Sequence, residues 1–474
     1  MNSIEFSKNK LVVGFKGIAC DIDQTVADMA YARAAHNFAF DRGVLTGELG
    51  IDAGRGFYPA PFTERHAYPA IPTGKALKKL FLYRYKTDEG KFDDRLVGHL
   101  DDGTFVYTSV FKNDVWHAID GLCIVGDVCA VNYNFNGKDT LLISCDNDYL
   151  YYLKGSYVTV CTKAPEFSSL TIHNERVFGS VNGAQNQVWF SDEFNPSEWS
   201  VASDKAGFIT FSDDGGEVLK VVSFLNYLYI FREYGIFRLT AYGEQSEFVL
   251  KKVFTDTGRI VKTSIELCGD KIVFYAEDGL FVFDGYDVKR AARKMPEVKS
   301  GDFISGAYLD DCYYIACKTG GEEKQDTLIR YRFKDDSFAV LQGVAILHLI
   351  AVRVHNGSQL LCVMGGDVND TLGEISKSGC VLGTPTQKHY ESPENTLFTT
   401  SLKIVRCVYV QTKSDITLTV KLDGRAFKYD VSGGDGVKTV RVERAGRTVG
   451  FEIDCSEAEA NITPLTVSYD KLKM

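Results

Sequence analysis

Along the middle of the chain, apolar and polar positions recur as strand units spaced about 40–50 residues apart, a repeat length typical of radial sheet arrays. LNYLYIF from Leu225, GDKIVFYAEDGLFVFDG from Gly269, DDCYYIACKTG from Asp310 and NGSQLLCVMGG from Asn356 share one form. A polar turn leads into an apolar strand that ends at a glycine or a charge. HNERVFG from His173 and NGKDTLLIS from Asn136 extend the series upstream. In the clearest unit Ile272 and Phe274 alternate with Val273 and Tyr275, and after Glu277-Asp278-Gly279 the residues Leu280, Phe281, Val282 and Phe283 repeat the scheme. Such alternation sends successive side chains to opposite faces. A lone hairpin cannot bury both, so neighbouring sheets are required. The pattern predicts an all-β chain whose residues 76–380 form a six- or seven-bladed β-propeller.

The flanks differ from this repeat. Residues 1–75 predict an N-terminal arm: a strand over 11–15, a helix from Asp23 to Ala35 capped by Asp23, then strand, turn and strand between Asn37 and Gly50. Val26, Met29, Ala30 and Ala34 give the helical spacing. Pro59, Pro61, Pro69 and Pro72 exclude a regular element between Gly54 and Gly74 and predict an extended linker, the segment expected to reach a neighbouring subunit. After the turn-rich stretch 379–386 the repeat stops. SLKIVRCVYVQT, DITLTVKLDG, KTVRVERAG, TVGFEIDC and ITPLTVSYD are separate alternating strands, and they predict a C-terminal β-sandwich over 381–474.

Composition agrees with the all-β reading: 31 Phe and 25 Tyr favour pleated, half-buried surfaces, and 43 Gly supply turns. No stretch approaches the roughly 20 apolar residues of a membrane helix, so no membrane insertion is expected. The first residues lack the pattern of a secretory signal. The 12 cysteines are irregularly spaced with no CxxC pair, which reads as reduced core thiols in a reducing cytoplasm. The net charge of −10 is concentrated in the middle: residues 71–384 carry about −10, the flanks about −1 and +1. An acidic body is a poor phosphate clamp, so any DNA would pass without specific binding.

Candidate chemistry is sparse. Asp21-Ile22-Asp23-Gln24-Thr25-Val26 resembles the DxDxT/V nucleophile motif of haloacid-dehalogenase-type phosphatases, but that chemistry needs helices layered on an α/β sheet. CDNDYLYYLKG around Asp146 and GGDVNDTLGE around Asp367 carry calcium-type ligands without the full loop pattern, and turns account for them. His348 and His355, seven apart, would face opposite sides of one strand, and Cys312 and Cys317 read as core. No catalytic, cofactor-binding or metal-binding residue is nominated. Lys438, Arg441, Arg444 and Arg447 form the one dense basic run, read as a solvated face or a contact with an acidic partner.

HNERVFGSVNGAQNQVWFSDEFNPSEW (173–199) resembles a phrase of β-propeller virion proteins of tailed phages, through Arg176, Trp189, Ser191, Asp192, Asn195, Pro196 and Trp199. Within it, Asn195-Pro196-Ser197 predicts a turn that folds Trp199 back onto the strand carrying Trp189. The run from Asn37 to Leu45, with Gly43 and then Gly50, and the closing KLDGRAF and ITPLTVSYD phrases are similar to the same family. The resemblance implies a non-enzymatic virion protein of the packaged-DNA stabilisation or tail-nozzle type. Such a protein would assemble in the host cytoplasm into a homo-oligomeric ring, six-fold favoured, beside other head–tail or tail proteins. Asn37, Gly43, Arg441, Arg444 and Arg447 are the residues expected to serve assembly. A tail adhesin binding surface glycans through its loops, and a propeller glycosidase, remain the alternatives, because fold does not fix function.

Overall fold

The computed structural model describes residues 6–18, 27–57, 65–87, 89–181, 186–203, 205–255, 258–277, 279–291, 298–320, 324–369 and 371–472. Among them every regular element is a strand, apart from five single-turn 3-10 segments. The recurring phrase of the sequence is the hairpin between the first and second strands of each repeat. Asn136-Gly137, Asn174-Glu175, Leu225-Asn226 and Asp310-Asp311 each place two consecutive residues at positive φ. That is the backbone of a type I′ turn, whose twist matches the strands it joins. Asn and Asp tolerate this region locally, so the polar turn before each apolar strand has a conformational cause.

These hairpins build six consecutive four-stranded antiparallel sheets, from the one opening at Leu77–Tyr83 to the one opening at Phe303–Leu309. A further sheet opens at Ile346–Val354 and continues through Gly357–Met364 and Leu372–Ser376. The fold is all-β and β-propeller-like. Second strands are buried on both faces, as Ile272, Val273, Phe274 and Tyr275 illustrate. Ile272 and Phe274 pack with Tyr229 and Phe231 of the preceding sheet, while Val273 and Tyr275 join Tyr313 and Ile315 of the following one. The first and last sheets of the series also share a core, where Leu77, Leu80 and Leu96 meet Val352, Leu361 and Val363. Each fully buried side chain of this kind contributes about 1.5–3 kcal/mol, so stability resides between sheets rather than within one.

The N-terminal residues are not a free arm. Phe6–Val13 pairs over its whole length with Leu465–Leu472, at the edge of a sheet that also holds Lys403–Val410 and Lys438–Gly446. Ala34–His36 pairs with Lys388–Glu391 in the facing sheet, beside Val449–Cys455 and Ile416–Leu422. Gly50–Ala53 then crosses to the propeller-like part and becomes the fourth strand of the last sheet, against Leu372–Ser376. The proline-rich segment is held there too. Arg65 bonds both carboxylate oxygens of Glu374 at 2.8 Å, and Gln359 donates to the Tyr68 hydroxyl at 3.0 Å.

The helix expected from Asp23 to Ala35 is overturned where the structure describes it. Residues 27–30 form a turn, followed by the strands Tyr31–Ala32 and Ala34–His36. The small apolar residues that suggested a helical stripe are buried as edge and turn contacts: Ala27, Met29, Ala30, Ala32 and Ala35 are all under 9% exposed. Pairing with Lys388–Glu391 supplies backbone partners that an isolated helix of this length would have to find internally.

An ion pair between a buried arginine and an exposed carboxylate ties the fourth sheet to the loop before it. The Arg232 side chain is fully buried; it bonds the Asp213 carboxylate and the Gly216 carbonyl, and lies 4.9 Å over the Phe211 ring. The guanidinium holds the Asp213 carboxyl below its ordinary range, burial opposing it. Asp213→Ala leaves the buried guanidinium with carbonyl partners only, and is expected to lower the unfolding free energy by about 1–3 kcal/mol in urea denaturation, less than for a fully buried pair because water reaches the carboxylate.

Candidate functional site

A cavity of about 660 Å³ lies at the centre of the propeller-like part, and the first strands of all seven sheets contribute to its wall. A repeated irregularity sets how those strands present side chains to it. In four of them a bulge interrupts the register near the strand's start, between Leu77 and Lys79, Val218 and Lys220, Phe303 and Ser305, and Ile346 and His348. An extra residue in one strand re-aims the side chains beyond it. Lys79, Lys220, Ser305 and His348 therefore occupy equivalent places after the bulge, and all four line the cavity.

The equivalence extends to their bonds. The Leu349 N–H donates to Ser305 Oγ at 3.1 Å, the Leu80 N–H to His348 Nδ1 at 3.3 Å, and the Val221 N–H to Ser169 Oγ at 3.2 Å. Each links one first strand to the next, and the His348 bond links the last sheet to the first. A lysine cannot accept, so Lys79 and Lys220 reach forward instead. Lys79 Nζ donates to the Val128 carbonyl at 2.8 Å, and Lys220 Nζ to the Ile265 carbonyl at 2.5 Å. An acidic residue adjoins each of these carbonyls along the chain. Asp127 lies 2.8 Å from Lys79 Nζ and 3.3 Å from Lys262 Nζ, while Glu266 lies 4.0 Å from Lys220 Nζ.

The electrostatics of this cluster are those of charges with little water. Burial pushes Lys220 down, and the ammonium groups of Lys79 and Lys262 add to it against the pull of Glu266. Burial pushes the Glu266 carboxyl up, with Lys220 and Arg353 opposing. For Asp127 burial acts the same way but is outweighed, and Lys79 and Lys262 hold its carboxyl below the usual range. His348 is pushed down to about 3 by burial, with Lys79 and Lys220 adding to the effect, so it is neutral and its Nδ1 accepts. Of the residues lining the cavity five are basic (Lys78, Lys79, Lys220, Lys262, Arg353) and two acidic (Asp127, Glu266), with Lys78 bonded to the Asp101 carbonyl and Arg353 to the Tyr308 carbonyl. The lining is locally positive in a chain of net charge −10.

Apart from His348, the residues singled out from sequence lie elsewhere. Asn37 is 6% exposed, at positive φ, and its bonds stay within its own chain: its side chain donates to the Gln387 carbonyl at 2.6 Å and accepts from the Gln342 N–H at 2.9 Å. It thereby joins the strand ending at Gln342 to the segment around Gln387. Gly43 sits with Arg42 in a positive-φ turn of the hairpin Ala39–Asp41 to Val44–Thr46. Arg441, Arg444 and Arg447 are exposed, the first two on Lys438–Gly446, which ends its sheet. Glu443 at positive φ and a register shift opposite it kink this strand, and charge plus kink is how an edge avoids indiscriminate pairing. Asp21 and Asp23 lie outside the described residues. Asp148, opening the strand Asp148–Lys154, accepts from the Tyr149 N–H and the Tyr151 hydroxyl, and among the described residues no group of three or more His, Cys, Asp or Glu is placed to hold a metal.

The phrase between Arg176 and Trp199 forms one buried corner. Arg176 donates to the carbonyl of Ser191 at 2.9 Å and pairs with Glu193 at 3.3 Å. Ser191 Oγ accepts the Val177 N–H at 3.0 Å. The Pro196 carbonyl accepts both Trp199 Nε1 at 2.7 Å and the Tyr152 hydroxyl at 2.8 Å. Trp199 is buried against Phe167, two residues before the first strand of its own sheet, ring centroids 5.0 Å apart, in a cluster with Leu142, Leu150 and Tyr152 of the preceding sheet that Trp189 only borders. It thus folds onto the neighbouring sheet's core as well as toward its own strand. Gly179 is required here, since a Cβ would lie 2.3 Å from Phe167 Cδ1.

No cavity lysine stood out in the sequence. The signal was present in LKKLFLY and VLKVVSF, where one lysine per unit occupies the same place, but only the shared bulge makes the two units comparable.

No protein-family model matches the chain, and no curated protein matches it. Among solved structures the chain is similar to BBS1N, crystallised in complex with ARL6DN, at 9% identity and a TM-score of 0.43, over 69% of this chain and 95% of that one. It is also similar to an ancestral GH74 enzyme, at 9% identity and a TM-score of 0.41, over 73% of this chain and 57% of that one.

Proposed function

We propose that the chain is a structural protein of a tailed-phage virion, with seven sheets closed as a seven-bladed propeller and a C-terminal β-sandwich. Its copies assemble in the host cytoplasm as a symmetric ring, six-fold favoured, at the head–tail junction or in the tail. The core shared by the first and last sheets, and the bond from Leu80 to His348, support closure of the propeller. The observation that carries the virion reading is the corner between Arg176 and Trp199. Of the seven residues through which the 173–199 phrase resembles phage propeller proteins, all but Trp189 are buried there or bonded into it.

A mechanical role is also favoured by how the halves are joined. One N-terminal segment is stitched first into both C-terminal sheets and then into the last propeller sheet. Shearing the two halves apart would break paired strands rather than a loop. Arg441, Arg444 and Arg447 then serve as the contact to the acidic body of the next copy, with DNA passing unbound.

Mass photometry of the purified full chain tests the assembly, together with mass spectrometry of purified virions. Discrete ring-sized particles that Arg441→Glu with Arg444→Glu disperses, and peptides of this chain in virions, are the expected results. A monomer at all concentrations, absent from virions, overturns the reading. Attraction between opposite exposed charges is screened beyond about 8 Å at physiological salt, so the rings should also loosen as salt rises.

A further inference from the structure

We propose that the central cavity is a binding site for a small multivalent oxyanion, a molecule carrying two or more phosphate or carboxylate groups. Three observations on separate elements converge on it. The cavity, at about 660 Å³, falls within the usual range of small-molecule pockets. Its lining holds five basic residues, with Lys79, Lys220 and Lys262 clustered about Asp127 and Glu266, although the chain as a whole is acidic. The lysines come from three different sheets and are aimed inward by backbone that is itself irregular at those points: Lys79 and Lys220 lie just past bulges, and Lys262 opens a single 3-10 turn.

The lysines are not neutralised where they stand. Lys79 and Lys262 share one carboxylate, Asp127. Lys220 directs one N–H to the Ile265 carbonyl, and its nearest carboxylate oxygen is 4.0 Å away. An ammonium has three donors, so each retains capacity toward the cavity. Burial lowers Lys220, and an anion arriving beside it would relieve that desolvation by supplying the missing opposite charge. His348 and Ser305 add polar groups at the equivalent positions of two further strands. A multivalent anion fits better than a monovalent one because three ammonium groups converge here, Lys79 and Lys262 on the one Asp127 carboxylate and Lys220 close enough to feel both, so a single negative charge would leave the others unmatched.

Isothermal titration of the purified full chain, with inorganic pyrophosphate as the phosphate probe and citrate as the carboxylate probe, tests this. Saturable binding of at least one probe is expected, and the tighter of the two identifies the source of the charge. Lys220→Met is expected to weaken it about tenfold or more, the loss of one charge-assisted contact. Asp127→Asn should act in the opposite direction and tighten binding, because it releases Lys79 and Lys262 from their shared carboxylate. A gain of affinity cannot come from damage to the fold, so this second variant separates a site from a structural role. Absence of saturable binding by both probes overturns the proposal. So does unchanged affinity in Lys220→Met, or weaker binding in Asp127→Asn. None of these outcomes depends on whether the chain assembles into rings.

Discussion

Ile51→Asp is expected to lower the unfolding free energy by about 3–5 kcal/mol or more, the loss of a buried aliphatic side chain compounded by an unpaired buried charge. Ile51 is fully buried in the middle of Gly50–Ala53, the N-terminal strand that completes the last sheet. Its backbone stands opposite Ile375, its carbonyl accepts the Leu382 N–H at 2.7 Å, and its side chain joins Leu360, Cys362 and Met364 in one cluster. Asp52, the next residue, is exposed, so Asp52→Ala should change stability by no more than about 0.5 kcal/mol. Urea denaturation of the three proteins gives the comparison. Hydrogen exchange adds a spatial test: in Ile51→Asp, protection should fall first along Leu372–Ser376, which the lost strand covered. Equal stability of Ile51→Asp and Asp52→Ala would mean that the strand is not integral to the sheet.

Acid is expected to weaken the junction between the first and last sheets, and His348→Asn to remove part of that sensitivity. His348 titrates near 6.5 when exposed in the unfolded chain and is pushed down to about 3 in the fold, by burial first and by Lys79 and Lys220 after it, with Asp127 opposing. Between these values the unfolded chain binds a proton that the folded chain does not, so stability is full above pH 6.5 and declines as pH falls toward 3. Protonation also turns Nδ1 from acceptor to donor, opposite the Leu80 N–H that it receives at 3.3 Å. At about pH 4.5, roughly two units into that window, the effect is about 2–3 kcal/mol at about 1.36 kcal/mol per unit. Burial also lowers His36, His66, His99 and His173, so the wild-type slope is a sum. The difference between wild type and His348→Asn isolates one residue, since asparagine keeps an acceptor at the same reach without titrating. Unfolding free energies at about pH 7 and about pH 4.5 should differ by about 2–3 kcal/mol less in the variant. An identical pH dependence would show that His348 is not held neutral by the fold.

Both effects sit at places where residues distant in sequence meet, and this is also where sequence and structure part. Features that depend on near neighbours along the chain are legible in the order of residues. Alternation at Ile272, Val273, Phe274 and Tyr275 marked a strand with two apolar faces, and pairs such as Asp310-Asp311 marked the turns. The breaks around Pro69 and Pro72 excluded regular structure there. Period-two burial and turn chemistry are local physics, so they can be read without knowing what lies opposite.

The path of the N-terminal segment and the identity of the groups facing the cavity depend instead on contacts between distant parts of the chain. Small residues from Ala27 to Ala35 fit a helix as well as an edge strand, and the hydrogen bonds offered by Lys388–Glu391 settle the choice. Ile51 carries no local sign that its partner lies more than 300 residues away at Ile375. Lys79, Asp127, Lys220 and Lys262 look like scattered surface charges along the chain; the bulges and the convergence of first strands bring them to one place. The reason is physical: electrostatic and packing energies depend on distance in space, and a chain that returns on itself seven times leaves that distance unwritten in the order of its residues.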